Sequence, residues 1–222
     1  MGRNSEYKEV LCQEGLSDRE VGALQANDYD NGIFEYINSK RERDMEERKG
    51  EAFALGEQLT VIGKKLQVGY FAPDFTLDYV DFIDMTIHST RLTESIDSMR
   101  VLSVVNSLDM PVCRLQTQRW EELRLMFPPN VSLYTISMDL PYTQAHWQIA
   151  EKVIHQTLSA HRSEQFGLAY GVLLKEWRLL QRAVFVIDQD RRIVYAEYVA
   201  NQQQEPDYKA ACAAIASIVP FS

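Results

Sequence analysis

From residue 51 onward the chain alternates short apolar runs with amphipathic stretches, and each has the length and period of one element. "AFAL" (52–55) and "LTVIG" (59–63) flank Gly56-Glu57-Gln58, which reads as a hairpin. "FTLDYV" (75–80) and "DMTIHS" (84–89) alternate apolar and polar around a second turn. "VLSVVN" (101–106) and "VSLYTISM" (131–138) are near-continuous apolar runs, the pattern of strands buried on both faces. Between them the spacing predicts a helix from Pro111 to Phe127, with Val112, Leu115, Trp120, Leu123 and Phe127 on its inward face. "YTQAHWQIAEKVI" (142–154) reads as a second helix. "RAVFVID" and "IVYAEYV", joined by "QDRR", read as another hairpin. "EPDYKAACAAIASIV" (205–219) predicts a closing helix with Pro206 in its first turn and a stripe of Tyr208, Ala211, Cys212, Ile215 and Val219.

A β-α-β unit implies a parallel strand pair with a right-handed crossover. Followed by an antiparallel hairpin and a closing helix, it predicts an α/β, thioredoxin-like sandwich with an N-terminal β-hairpin. Residues 1–50 differ in kind. Ser17 with Glu20 forms a capping box that would open a short helix. "FEYINSKRERDMEERKG" reads as a charged helix ending at Gly50. The expected organisation is therefore a charged, helical extension over 1–50 and one domain over 51–222.

Charge and composition narrow the function. The formal net charge is −9, which argues against a sequence-independent nucleic-acid binder and against docking on anionic lipid. No apolar run approaches the roughly 18 residues of a membrane span. The first residues lack the apolar segment of a secretory signal, so the expected compartment is the cytoplasm. Cys12, Cys113 and Cys212 are odd in number and far apart, with no CxxC, so no disulfide framework or dithiol motif is encoded. The four histidines form no metal-ligand pattern, and no GxGxxG or phosphate-binding loop is present. No cofactor is expected.

That leaves the cysteine in "NSLDMPVC" (106–113). Asp109 can cap a helix that begins near Pro111, which places Cys113 in its first turn. Free backbone N–H groups and the positive end of the helix dipole favour a thiolate there. The position alone fits a nucleophile or a small buried spacer, and many cysteines at helix starts are inert. Cys212, on a helical stripe, reads as a small buried hydrophobe.

Longer segments resemble the bacterial thiol peroxidases, the atypical two-cysteine branch of the peroxiredoxins. "GEQLTVIGKKLQVGYFAPDFTL" is similar to that family's opening hairpin and its "VGxxAPDFTL" segment. "SLDMPVC" resembles its "SxDTPVC" turn and "ISMDLPYTQAHW" its "ISADLPFAQxRF". "SEQFGLAYGVLLKE", "RAVFVID" and "EPDYKAACAAI" complete the series in the family's order. The resemblance implies a peroxidatic cysteine at Cys113 that attacks a hydroperoxide and becomes a sulfenic acid. It implies an arginine beside the thiolate at Arg182, a supporting arginine at Arg162, a thioredoxin-like reductant and a homodimer.

Three positions depart from the pattern. Met110 stands where the family has a threonine whose hydroxyl bonds the peroxide or thiolate. Asn106 stands where it has a proline that shields the pocket, and Gln148 where it has the resolving cysteine. The expectation is one-cysteine behaviour, with Cys12, Cys212 or an outside thiol left to resolve an oxidised Cys113. Two readings follow: a hydroperoxide reductase with Cys113 and Arg182 as catalytic residues and Met110, Asn106 and Arg162 lining the substrate site, or a catalytically degenerate relative that senses oxidant or binds a partner.

Overall fold

A computed structural model describes residues 46–94 and 98–218. The central sheet has seven strands: β3 (Thr76–Val80), β4 (Ile87–Arg91), β5 (Met99–Val104), β6 (Val131–Ser137), β7 (Gln156–Ser159), β10 (Ala183–Ile187) and β11 (Ile193–Tyr198), in the order β11-β10-β5-β6-β7-β3-β4. β5, β6 and β7 run parallel, and β10 lies antiparallel to β5. A smaller sheet joins β1 (Glu47–Ala54), β2 (Glu57–Ile62), β8 (Leu173–Leu174) and β9 (Leu179–Leu180). The helices are α1 (Pro111–Leu123), α2 (Pro141–Glu151), α3 (Gln165–Ala169) and α4 (Tyr208–Ile218). This is the expected α/β sandwich of thioredoxin type, opened by a hairpin.

Strand alternation sorts the core onto two faces. Leu102 and Val104 of β5, with Ala183, Phe185 and Ile187 of β10, join Phe75, Phe166 and Tyr170 on one side. Met99 and Val101, with Val184 and Val186, meet Trp120 of α1 and Ala211 and Ile215 of α4 on the other. Burying both faces requires the continuous apolar runs that made β5 and β10 legible in the sequence.

Four expectations change. β1 begins at Glu47, so residues 47–50 belong to a strand and not to the end of a charged helix. The reason is Arg48, whose buried guanidinium bonds the carbonyls of Gly63 and, at 2.8 Å, Gly171. The rest of the predicted extension, with Ser17, Glu20 and Cys12, lies outside the described residues, as does Val219. α1 stops at Leu123 and a 3₁₀ turn, Arg124–Met126, carries the chain toward Phe127. Its buried face is Cys113, Gln116, Thr117 and Trp120, while Leu115 is exposed. α4 begins at Tyr208, so Pro206 precedes the helix, and Asp207 accepts from the Ala210 N–H at 2.9 Å. β7, β8, β9 and α3 carry too few residues to show a period and were not foreseen.

Candidate active site

The site forms where β5 ends. The chain leaves β5 at Val104, turns through Ser107–Met110 and enters α1 with Pro111 in its first turn. The carboxylate of Asp139, two residues past the end of β6, holds that turn. It accepts from the Ser107 hydroxyl, the Leu108 N–H and the Ser137 hydroxyl, each at 2.8 Å. The helix boundary residue is Met110, in extended backbone and without a side-chain cap. Asp109 points to solvent one residue too early to cap, which corrects the sequence expectation. Cys113 nonetheless lies in the first turn, and it is fully buried.

Arg182 reaches the same point from the far end of the chain. The antiparallel pairing of Ala183 with Val104 sets the start of β10 against the end of β5. Arg182, just before β10, shares the side of Val184 and Val186 and so faces α1. Its Nη2 lies 3.2 Å from Cys113 Sγ and also donates to the Gln202 carbonyl at 3.0 Å. Its Nη1 donates to Gln116 Oε1, and Gln116 donates to Ser103 Oγ at 2.8 Å. Arg182 is fully buried, its Nε has no partner, and among the described residues no carboxylate pairs with it. A buried guanidinium without a carboxylate is costly, and its Nη2 is directed at the Cys113 sulfur 3.2 Å away.

Asn106 is also fully buried. Its Nδ2 donates to the Leu180 carbonyl at 2.6 Å and to Gln202 Oε1 at 3.0 Å, which turns Oδ1 toward Cys113 Sγ at 3.9 Å. Met110 is half-buried and packs with Val105, Leu108, Trp147 and Val153 around the thiol. Thus Cys113, Arg182, Asn106 and Met110 come together. Arg162 does not. Its Nε bonds Asp78 on β3, its side chain is largely exposed, and no contact joins it to Cys113 or Arg182.

Gln148 is buried in a structural role. It donates to the His155 carbonyl at 2.9 Å and accepts from the Thr157 hydroxyl at 2.7 Å, tying α2 to β7. Cys212 is half-buried against the α1–α4 side of the core, and burial pushes its thiol up, away from a thiolate. Gln116, Gln202 and Asp139 were missed by sequence reasoning. A glutamine one turn after Cys113 on a helix face otherwise buried is a signal that could have found the first; nothing local marks the other two.

The chain also matches known proteins in sequence and in fold. A model described as the AhpC/TSA family matches residues 68–196, a span that holds both Cys113 and Arg182. The chain belongs to the AhpC/TSA family. Among curated relatives, a thiol peroxidase of Streptococcus sanguinis is 41% identical over 165 residues, covering 74% of this chain and 98% of that protein. A thiol peroxidase of Bacillus subtilis is 38% identical over 165 residues, covering 74% and 95%. Among solved structures, a peroxiredoxin-like protein from Aquifex aeolicus superposes with a TM-score of 0.67 at 26% identity, covering 79% of this chain and 99% of that one. Among the described residues of this AhpC/TSA protein, no helix is long and apolar enough to cross a membrane.

Proposed function

We infer that the protein is a thiol peroxidase that reduces hydroperoxides through Cys113. The observation that carries this reading is the buried Arg182–Cys113 pair at 3.2 Å, with no carboxylate among the described residues to take the cation. The relatives named thiol peroxidase support it.

The step balances as a two-electron exchange. The Cys113 thiolate attacks the terminal oxygen of ROOH. The S–O bond forms as the O–O bond breaks, and the leaving alkoxide takes a proton to become ROH. Cys113 is left as a sulfenic acid. Arg182 holds the thiolate before the step and balances the charge that develops on the oxygens during it. Two equivalents of an outside thiol, of thioredoxin-like type, return the sulfenic acid to thiol and release water. The sulfenic acid is met by an outside thiol in this reading because Gln148 cannot form a disulfide and burial holds the Cys212 thiol away from a thiolate, with Cys12 as the alternative partner within the chain. The apolar wall of Met110, Leu108 and Trp147 suits an organic hydroperoxide better than hydrogen peroxide.

The second reading, an oxidant sensor that stops at oxidised Cys113, rests on the same Gln148 and on the loss of a donor at Met110. One experiment addresses both: brief exposure to hydrogen peroxide or an organic hydroperoxide with a sulfenic-acid trap, read by peptide mass spectrometry. An adduct confined to Cys113 at near-stoichiometric peroxide is expected. Turnover with an added thiol reductant then marks the peroxidase, and its absence the sensor. An unmodified Cys113, or equal labelling of every cysteine, overturns both.

A further inference from the structure

We propose that Gln202 is the positioning residue of this site: it fixes Arg182 at both ends and sets which atom of Asn106 faces the thiol. The inference rests on the thiolate reading of Cys113 above and adds the residue that makes the pair rigid.

Gln202 is fully buried and lies in the turn between β11 and α4. Its side-chain Oε1 accepts from the Arg182 backbone N–H at 2.8 Å. Its backbone carbonyl accepts from Arg182 Nη2 at 3.0 Å. One residue therefore grips the arginine at its main chain and at its guanidinium. Nη2 carries two hydrogens. With one committed to the Gln202 carbonyl, the other is directed at Cys113 Sγ.

The same Oε1 accepts from Asn106 Nδ2 at 3.0 Å, while the Leu180 carbonyl takes the other hydrogen of that amide. Both donors of Asn106 are thus occupied, and its carbonyl oxygen is the atom left to face the sulfur. An acceptor there opposes a naked thiolate, yet it can receive the O–H of a sulfenic acid. Gln202 so holds a group that favours the anion and a group that suits the oxidised product in one frame.

Gln202 is itself anchored. Its Nε2 donates to the Val199 carbonyl at 2.7 Å and to the Ala200 carbonyl at 3.2 Å, which closes the turn. Its N–H donates to the Phe53 carbonyl at 2.8 Å, and the Phe53 N–H donates to the Ala200 carbonyl at 2.8 Å. The N-terminal hairpin is therefore bonded to the residue that sets the arginine.

The test uses the full chain with Cys12 and Cys212 changed to Ser, so that Cys113 is the one thiol. Thiolate formation is followed by ultraviolet absorbance across pH, with Cys113→Ser as the blank, and thermal melting is recorded in parallel. Gln202→Met keeps the length and removes the amide. It is expected to move the absorbance profile to higher pH and to slow Cys113 oxidation by hydrogen peroxide about tenfold or more, by analogy with loss of a positioned donor. If Gln202→Met does not fold, Gln202→Asn carries the same expectation, because its amide is one methylene too short to reach both donors. A folded variant whose thiolate profile and oxidation rate match the parent overturns the proposal. The absorbance profile needs no peroxide, so a parent protein that is never oxidised at Cys113 removes the proposed peroxidase function while this inference is still decided by the profile.

Discussion

At the scale of single residues, the proposed site sets a buried thiol against a buried guanidinium, with Met110 beside them supplying no donor. Arg182→Met leaves the site without its cation and is expected to slow Cys113 oxidation by roughly 10²–10³-fold, as when a donor aimed at a transition state is removed. Single-turnover oxidation measured by mass spectrometry checks this. Met110 is a thioether, a weak acceptor that cannot donate. Met110→Thr restores an O–H beside Cys113 and is expected to raise the rate with hydrogen peroxide. It also shrinks the apolar wall shared with Leu108 and Trp147, so the proposed preference for a bulky organic hydroperoxide should narrow. Competition between the two substrates reads that ratio. Arg162, bonded to Asp78, is expected to leave the Cys113 oxidation rate unchanged when replaced by Gln.

At the scale of elements, α1 must be held still for Cys113 to stay against Arg182. Part of that hold is the contact of Glu121 on α1 with the start of β7. His155 Nδ1 donates to Glu121 at 2.7 Å, and the Ile154 and His155 N–H groups donate to the same oxygen. His155 Nε2 accepts from the Thr135 hydroxyl at 2.8 Å. Burial pushes His155 below its ordinary 6.5, and Glu121 only partly restores it. Burial alone would raise Glu121, but the bonds from His155 and Arg124 hold it well below its ordinary 4.5. Both shifts act in one direction. Below pH 6.5 the unfolded chain takes a proton on this histidine that the folded chain refuses, and below pH 4.5 it does the same on Glu121. Stability is therefore complete at neutral pH and is lost on acidification. The melting temperature is expected to fall between about pH 7 and pH 5, and His155→Asn should flatten that slope.

At the scale of the molecule, one sheet carries the site at the end of its interior strands β5 and β10 and the core on its faces. Phe185, fully buried in β10, meets the rings of Tyr170 at 5.2 Å and Tyr198 at 5.4 Å. Phe185→Ala is expected to cost about 3–5 kcal/mol, measured by chemical denaturation. The loss falls on the strand that presents Arg182, so peroxide reactivity should drop at denaturant concentrations where the parent protein is still folded.

Much of this was legible in the chain itself. The two-sided burial of β5, β6 and β10 shows as continuous apolar runs, and the turn "SLDMPVC" put Cys113 at a helix start. Family resemblance pointed to Arg182. The helix face of α1 was misread because its inward side holds Gln116 and Thr117, which bury polar atoms for the site where a periodicity argument looks for hydrophobes. Arg48 at the edge of a charged run was misread for the same reason: a guanidinium reads as solvent-facing until the carbonyls that receive it are known. The sequence by itself determined the longer strands and helices and the place of Cys113 at a helix start, because these depend on local period and residue chemistry, while the roles expected of Cys113 and Arg182 came from the family resemblance. Only the tertiary structure decided how Arg182 is held against Cys113, that Gln202 backs it, that Asn106 turns its carbonyl to the sulfur, and that Arg162 stands apart. Those facts follow from antiparallel register and from hydrogen bonds between residues distant in sequence, which no local pattern encodes.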